Sequence, residues 1–261
     1  YLIKTDSQGD TLWTNTFGGN DEDEGYSVQQ TIDGGYVICG HTLTTDSFGN
    51  GDSDIYLIKT DSQGDTLWTN TFGVTQNDFG RSVQQTTDGG YIITGVGFND
   101  VIIIKTNSNG DQIWVKNYGT QIYGDLGESI QQTIDGGYII CGFTVDVINQ
   151  DRNIYLIKTD PQGDTIWTKT YGSSSGGSGV LPSNDEGYSV QQTTDGGYII
   201  CGSTKIGFGN PLWGTKYGYL IKINSYGDTV WTKQLSGVEL CSKVQQTTDG
   251  GYIMTGSNLS N

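Results

Sequence analysis

Apolar positions along the chain fall in short bursts of two kinds, separated by glycine-bearing turns. "GYIICG" and "YLIKT" are near-continuous apolar runs, whereas "YSVQQT" and "DTLWTNTFG" interleave apolar with polar residues. A short continuous run bounded by turn signals predicts a strand buried on both faces, and a mixed run predicts a strand with one wetter face. Between "SVQQT" and "GYIICG" stands "TDGG", and between "YLIKT" and "DTLWT" stands "DSQGD". Both are compact turn sequences in which Gly supplies the positive φ that a tight hairpin needs. The pattern therefore predicts an antiparallel four-stranded unit in the order "SVQQT", "GYIICG", "YLIKT", "DTLWT", with the apolar runs in the middle.

The unit recurs. "QQTxDGGY" occurs five times, with Gly34, Gly89, Gly136, Gly196 and Gly250 opening each glycine pair at spacings of 55, 47, 60 and 54 residues. Two further series keep step with it: Trp13, Trp68, Trp114, Trp167 and Trp231, and Lys4, Lys59, Lys105, Lys158 and Lys222. At about 52 residues the period suits a four-stranded blade better than an ankyrin or tetratricopeptide helix pair.

Antiparallel sheets of this kind can stack face to face around an axis, burying the apolar strands and leaving short edges. The expected fold is all-β, a single five-bladed β-propeller over residues 1–261, with blades at about 24–73, 79–118, 126–172 and 187–235. The fifth blade is expected to join 242–261 to 1–18, because the chain opens on the third strand and ends after the second. On the strength of "DGGYIICGxT" and "YLIKTDxxGDTLWT", the chain resembles the β-propeller repeats of secreted and surface-attached bacterial and archaeal proteins. That resemblance covers all five units and implies an extracellular or cell-surface setting. It implies little about activity.

Charge narrows the partners. A net charge of −16, from 29 acidic and 13 basic side chains, repels phosphate backbones and anionic headgroups, so no nucleic-acid partner and no membrane insertion are expected. Cys39, Cys141 and Cys201 share one position in "ICG", held by Thr94 and Thr255 in the other copies, which reads as a small packed side chain. The expected state is a monomer, and near-identical copies open a route to domain-swapped dimers.

Both hairpins keep their length from copy to copy while the other two links vary, so variation concentrates on one face. Loops on a rigid scaffold commonly carry recognition. Phe48, Phe98, Tyr123, Phe208, Trp213 and Tyr217 fall in or beside these links, and their rings suit stacking on a sugar or packing on a protein. Asp21, Asp23, Asp52 and Asp54 raise a calcium site against the alternative of solvated negative loops, though the spacing departs from an EF-hand loop. No other cofactor is expected.

Glycoside cleavage needs two carboxyl groups in different roles. The inner strands, from "SVQQT" to "KVQQT", contain none, and Glu24, Glu128, Glu186 and Glu239 are placed at their entrances. Glu24 and Glu186 share near-identical contexts, which reads as duplication. His41, the single histidine, reads as a polar loop residue. The expectation is therefore a non-catalytic module that binds a glycan or protein partner through its variable face. A structural spacer comes second and a glycoside hydrolase third.

Overall fold

A computed structural model of the chain describes residues 1–19, 21–45, 51–73, 77–119, 124–146, 151–172, 184–206 and 215–258. Every regular element among them is a strand. The chain divides into two compact units, Tyr1–Asn117 and Tyr118–Asn261.

The first unit opens with a two-stranded sheet of β1 (Leu2–Thr5) and β2 (Thr11–Asn15). A four-stranded antiparallel sheet follows, β3 (Asp23–Gln30), β4 (Tyr36–Thr45), β5 (Gly51–Thr60) and β6 (Thr66–Phe72). A second comprises β7 (Phe79–Gln85), β8 (Tyr91–Gly97), β9 (Asp100–Thr106) and β10 (Gln112–Tyr118), whose last residue crosses the unit boundary. The second unit has the mirror arrangement in chain order. It begins with β11 (Leu126–Gln132), β12 (Tyr138–Val145), β13 (Arg152–Thr159) and β14 (Thr165–Tyr171). There follow β15 (Glu186–Gln192), β16 (Tyr198–Ile206), β17 (Thr215–Ile223) and β18 (Thr229–Leu235), and the two-stranded sheet of β19 (Leu240–Gln246) and β20 (Tyr252–Ser257). Strand order within each four-stranded sheet follows chain order, as the hydrophobic pattern predicts. The second and third strands are the buried ones, with Val37, Leu57, Ile93, Ile103, Ile139, Leu156, Ile199 and Ile221 fully shielded.

The "DGG" turn explains the lysine series. In the first hairpin of each four-stranded sheet the leading glycine takes positive φ, as Gly34 does at 84°. The aspartate before it accepts the backbone N–H of the second glycine and grips the third-strand lysine. Lys59–Asp33, Lys105–Asp88, Lys158–Asp135 and Lys222–Asp195 lie at 2.8, 2.9, 2.9 and 2.9 Å. All four lysines are buried, and Lys59 also donates to the Thr60 carbonyl at 2.8 Å. The second glycine makes room for this arrangement: a Cβ on Gly35 would stand 2.1 Å from the Thr60 oxygen and 2.6 Å from Lys59 Nζ. In the "DSQGD" turn, Asp61 Oδ1 accepts from the backbone of Gln63 and Asp65 at 2.8 and 3.0 Å, the turn role expected of it.

Neighbouring sheets within each unit meet through repeated contacts. Trp13, Trp68, Trp167 and Trp231 lie edge-on to Tyr36, Tyr91, Tyr198 and Tyr252, at 5.7, 5.7, 6.1 and 5.9 Å between ring centres. The inner strands are cross-linked by the glutamines: Gln29 accepts from the Gln85 amide at 2.6 Å, Gln131 from Gln192 at 2.7 Å and Gln191 from Gln246 at 2.6 Å. Ser27 and Ser129 accept from Val83 and Val190 in the same way. The constancy of "SVQQ" is thus structural.

Candidate active site

One residue in each inner strand escapes that constancy. The pairing of β3 with β4 skips a register step between Gly25 and Ser27, leaving Tyr26 as the bulged residue. The same skip leaves Arg81, Glu128, Tyr188 and Ser242 bulged in β7, β11, β15 and β19. The cause is the glycine of "CG" or "TG" on the second strand. A Cβ on Gly40, Gly95, Gly142 or Gly202 would meet the opposing carbonyl oxygen at 1.8, 1.8, 1.7 or 1.9 Å, so only glycine admits the bulge. A bulge re-aims a side chain, and here the re-aimed residues are the chemically varied ones: Tyr, Arg, Glu, Tyr and Ser.

In the second unit the β15 bulge holds a phenol against a carboxylate. Tyr188 donates from its hydroxyl to Glu186, two residues before it, and the charge of Glu128 also acts on that hydroxyl. Burial, the Glu186 bond and both carboxylates raise the Tyr188 pKa well above that of an ordinary tyrosine. Arg152 pairs with Glu186 while its guanidinium lies over the Phe143 ring at 4.6 Å. Burial alone would raise the Glu186 pKa, but the Tyr188 hydroxyl and Arg152 outweigh it and hold the carboxyl below its ordinary value. Glu186 is therefore ionised at neutral pH, beside a neutral phenol.

The first unit carries a related but different cluster. Tyr26 donates to Glu24, Arg81 lies over the Tyr26 ring at 4.3 Å, and His41 stacks on that ring at 5.7 Å and 22°. Phe79 closes the other side of the imidazole, edge-on at 4.7 Å. His41 is a buried member of β4, opposite Glu24, which corrects its reading as a polar loop residue. Burial depresses its pKa, against the pull of Glu24, so the ring is neutral above the ordinary histidine range. The equivalent of His41 in the second unit is Ser203, opposite Glu186.

Phe48, Tyr123, Phe208 and Trp213 lie outside the described residues. Tyr217 pairs with Thr204 within β17 and β16. Phe98 occupies a two-residue hairpin with Asn99, both at positive φ, beside a cavity of about 280 Å³ that Asp78 and Ile102 also line. Asp23 accepts from the Gly19 amide at 2.8 Å. The same carboxylate fills the space where a Cβ on Gly18 would sit, as Asp54 does at Gly73, so each packs on the backbone that follows β2 or β6. Asp52 sits opposite Thr44 in the β4–β5 pair, and Asp21 precedes β3. The structure does not gather these four aspartates, and no group of three or more His, Cys, Asp or Glu is placed to hold a metal ion among the described residues.

Carboxylate placement also changes. Glu24, Glu128 and Glu186 are members of β3, β11 and β15, whereas Glu239 alone precedes its strand. The contexts of Glu24 and Glu186 look duplicated in sequence, but Arg152 pairs with Glu186 whereas Arg81 covers the ring of Tyr26.

No family profile and no curated protein sequence matches the chain. Solved structures do resemble it. An endo-arabinase from Bacteroides thetaiotaomicron VPI-5482 superposes with a TM-score of 0.52 at 11% identity, over 95% of this chain and 99% of its own. A protein of unknown function from Bacteroides caccae gives 0.48 at 11% identity, over 90% of each chain. A β-1,2-mannobiose phosphorylase from Listeria innocua gives 0.47 at 10%, over 90% of this chain and 87% of its own. The protein has a β-propeller-like all-β fold. The expectation of a non-catalytic binding or spacer module is overturned. The arabinase shows that this fold carries a glycan-processing enzyme, and inner strands empty of carboxylates, the ground for that expectation, are not what the structure contains.

Proposed function

We propose that the protein is a glycan-processing enzyme that cleaves a glycosidic bond at the bulge residues of its second unit. The observation that carries this reading is the Tyr188–Glu186–Arg152 cluster at the β15 bulge, with Glu128 at the equivalent bulge of the neighbouring inner strand β11. Glycoside cleavage through an oxocarbenium-like state uses two carboxyl groups in unequal states. Glu186, held ionised by Tyr188 and Arg152, is the base or nucleophile. Glu128, on the neighbouring inner strand, is the proton donor to the leaving oxygen. Tyr188 positions Glu186 and adds a ring on which a sugar can stack. The test is hydrolysis of a panel of oligosaccharides and aryl glycosides by the full chain. Glu186→Gln and Glu128→Gln should each lower kcat/KM by about 10²–10⁴-fold, with unfolding midpoints unchanged. Turnover that survives both substitutions, or a wild-type chain that cleaves nothing, would sink the reading.

The scaffold proposed for this site is a ring of five blades closed by the two-stranded sheets at either end. Correspondence between the copies is its ground: by analogy with the β4–β5 pairing of Tyr36 with Thr60 and Ile38 with Ile58, Tyr252 would pair with Thr5 and Met254 with Ile3. In such a closure Lys4 would take the place that Lys59 has beside Asp33, with Asp249 as its aspartate.

A further inference from the structure

The fourth cysteine stands apart from the "ICG" series. Cys241 lies directly before a bulge, opposite Gly256, where β7 and β15 carry Gly80 and Gly187. Those glycines sit against the "ICG" cysteine of the preceding sheet. A Cβ on Gly80 would stand 2.4 Å from Cys39 Sγ, and one on Gly187 would stand 2.4 Å from Cys141 Sγ. Only in the last inner strand does a side chain occupy that place, and it carries a thiol of its own. Cys241 packs on Cys201 of β16, whose Sγ donates to the Cys241 carbonyl oxygen at 3.2 Å.

We propose that Cys201 and Cys241 form a disulfide that staples the terminal two-stranded sheet to the β15–β18 sheet. Separate residues bring this about from separate strands, 40 positions apart. The oxidant is a small disulfide such as oxidised glutathione. Cys241 thiolate attacks one of its sulfurs and expels the first glutathione thiolate. Cys201 then gives up its proton and attacks the Cys241 sulfur of the mixed disulfide, expelling the second. Two protein thiols are oxidised, one small disulfide is reduced to two thiols, and the protons end on those products.

The order of attack follows from the local bonding. Proximity of the two groups holds the Cys241 pKa down, whereas Cys201 is raised by that neighbour and by burial. Cys39 is a useful contrast, since burial in apolar surroundings pushes its thiol up to about 12. Both members of the pair are buried in the closed fold. Access comes from the sheet they join: β19 and β20 form a two-stranded hairpin, a marginal element that opens more readily than a four-stranded sheet.

The experiment oxidises the full folded chain with oxidised glutathione, denatures it, and counts free thiols beside peptide mapping under non-reducing conditions. The wild type should fall from four free thiols to two, with Cys201 and Cys241 recovered as one cross-linked peptide pair. Cys241→Gly restores the residue found at the four equivalent places, and Cys201→Thr installs the residue of Thr94. Each should keep three free thiols under the same treatment. Reduction of the oxidised wild type should lower its unfolding midpoint by roughly 5 °C or more, and leave both variants unmoved. Four free thiols in the oxidised wild type, or a bridge mapped to Cys39 or Cys141, overturns the proposal.

Discussion

Asp33 shows how much one short turn residue does in this chain. Its carboxylate caps Thr31, receives the Gly35 amide and neutralises a buried lysine. The Lys59 bond first, then Thr31, hold its pKa down at about 2, and Asp195 is held at about 2 by Thr193 and Lys222. A carboxyl group depressed in the folded state stabilises it above the unfolded value of about 3.9, and that stability is lost as pH falls toward the folded value. Stability should thus be flat above about pH 4 and decline between about pH 4 and 2. Both carboxylates are more than half exposed, so each pair contributes no more than about 1 kcal/mol. Urea unfolding at stepped pH should show a shallower acid limb in Asp33→Asn and Asp195→Asn. Gly35→Ala is the severer change, because the Thr60 carbonyl and Lys59 ammonium already fill the place of its Cβ. It should cost about 2–4 kcal/mol in the same assay, while Gly34→Ala is limited to the smaller strain of positive φ.

At the scale of elements, the bulge is where sequence and structure part. Strand order, the two hairpins and the buried middle strands were legible, since each depends on local pattern: period, turn residues and apolar runs. The site was not. "GYSVQQT" read as a strand from Ser onward puts Glu24, Glu128 and Glu186 at an entrance, but pairing extends past the bulge and takes all three into the strand. The information sits on the partner strand, in the glycine of "ICG", and becomes visible only when two strands are set in register. Comparison of the copies held the remaining clue, because the residue before "SV" or "SI" is Tyr, Arg, Glu and Tyr in an otherwise fixed phrase. Gly142→Ala tests the account without touching a carboxylate. Its Cβ would stand 1.7 Å from the Leu126 carbonyl oxygen, so β11 must shift and move Glu128. Glycosidase turnover should fall by at least about 10²-fold, with far-UV circular dichroism unchanged, since a misplacement of about 1 Å has that effect on catalysis. Full turnover would mean that the bulge does not set the position of Glu128.

Whole-molecule stability rests on how the terminal two-stranded sheets are held. A two-stranded ribbon is marginal alone, and β1–β2 is shielded mainly where Trp13 meets Tyr36 and Asn15 donates to the Gly64 carbonyl at 2.7 Å. Ile3 and Ile253 are 56% and 61% exposed, on the strands that the proposed closure pairs. Lys4 donates to the Tyr36 hydroxyl, whereas the lysine of each four-stranded sheet is bound by an aspartate of its own hairpin. The proposed closing blade would divide that hairpin and that lysine between residues 242–261 and 1–18. Lys4→Asp and Asp249→Lys should each lower the unfolding midpoint, because each sets like charges together in the closed blade. The double exchange should recover most of the loss, since the opposite charges face each other again in reversed order. Recovery at protein concentrations spanning 100-fold, about two decades of mass action, means closure within one chain. Recovery that grows with concentration means pairing between copies, in line with a domain-swapped dimer. Strict additivity of the two single losses would show that residues 4 and 249 never meet, and the five-bladed ring would have to be abandoned.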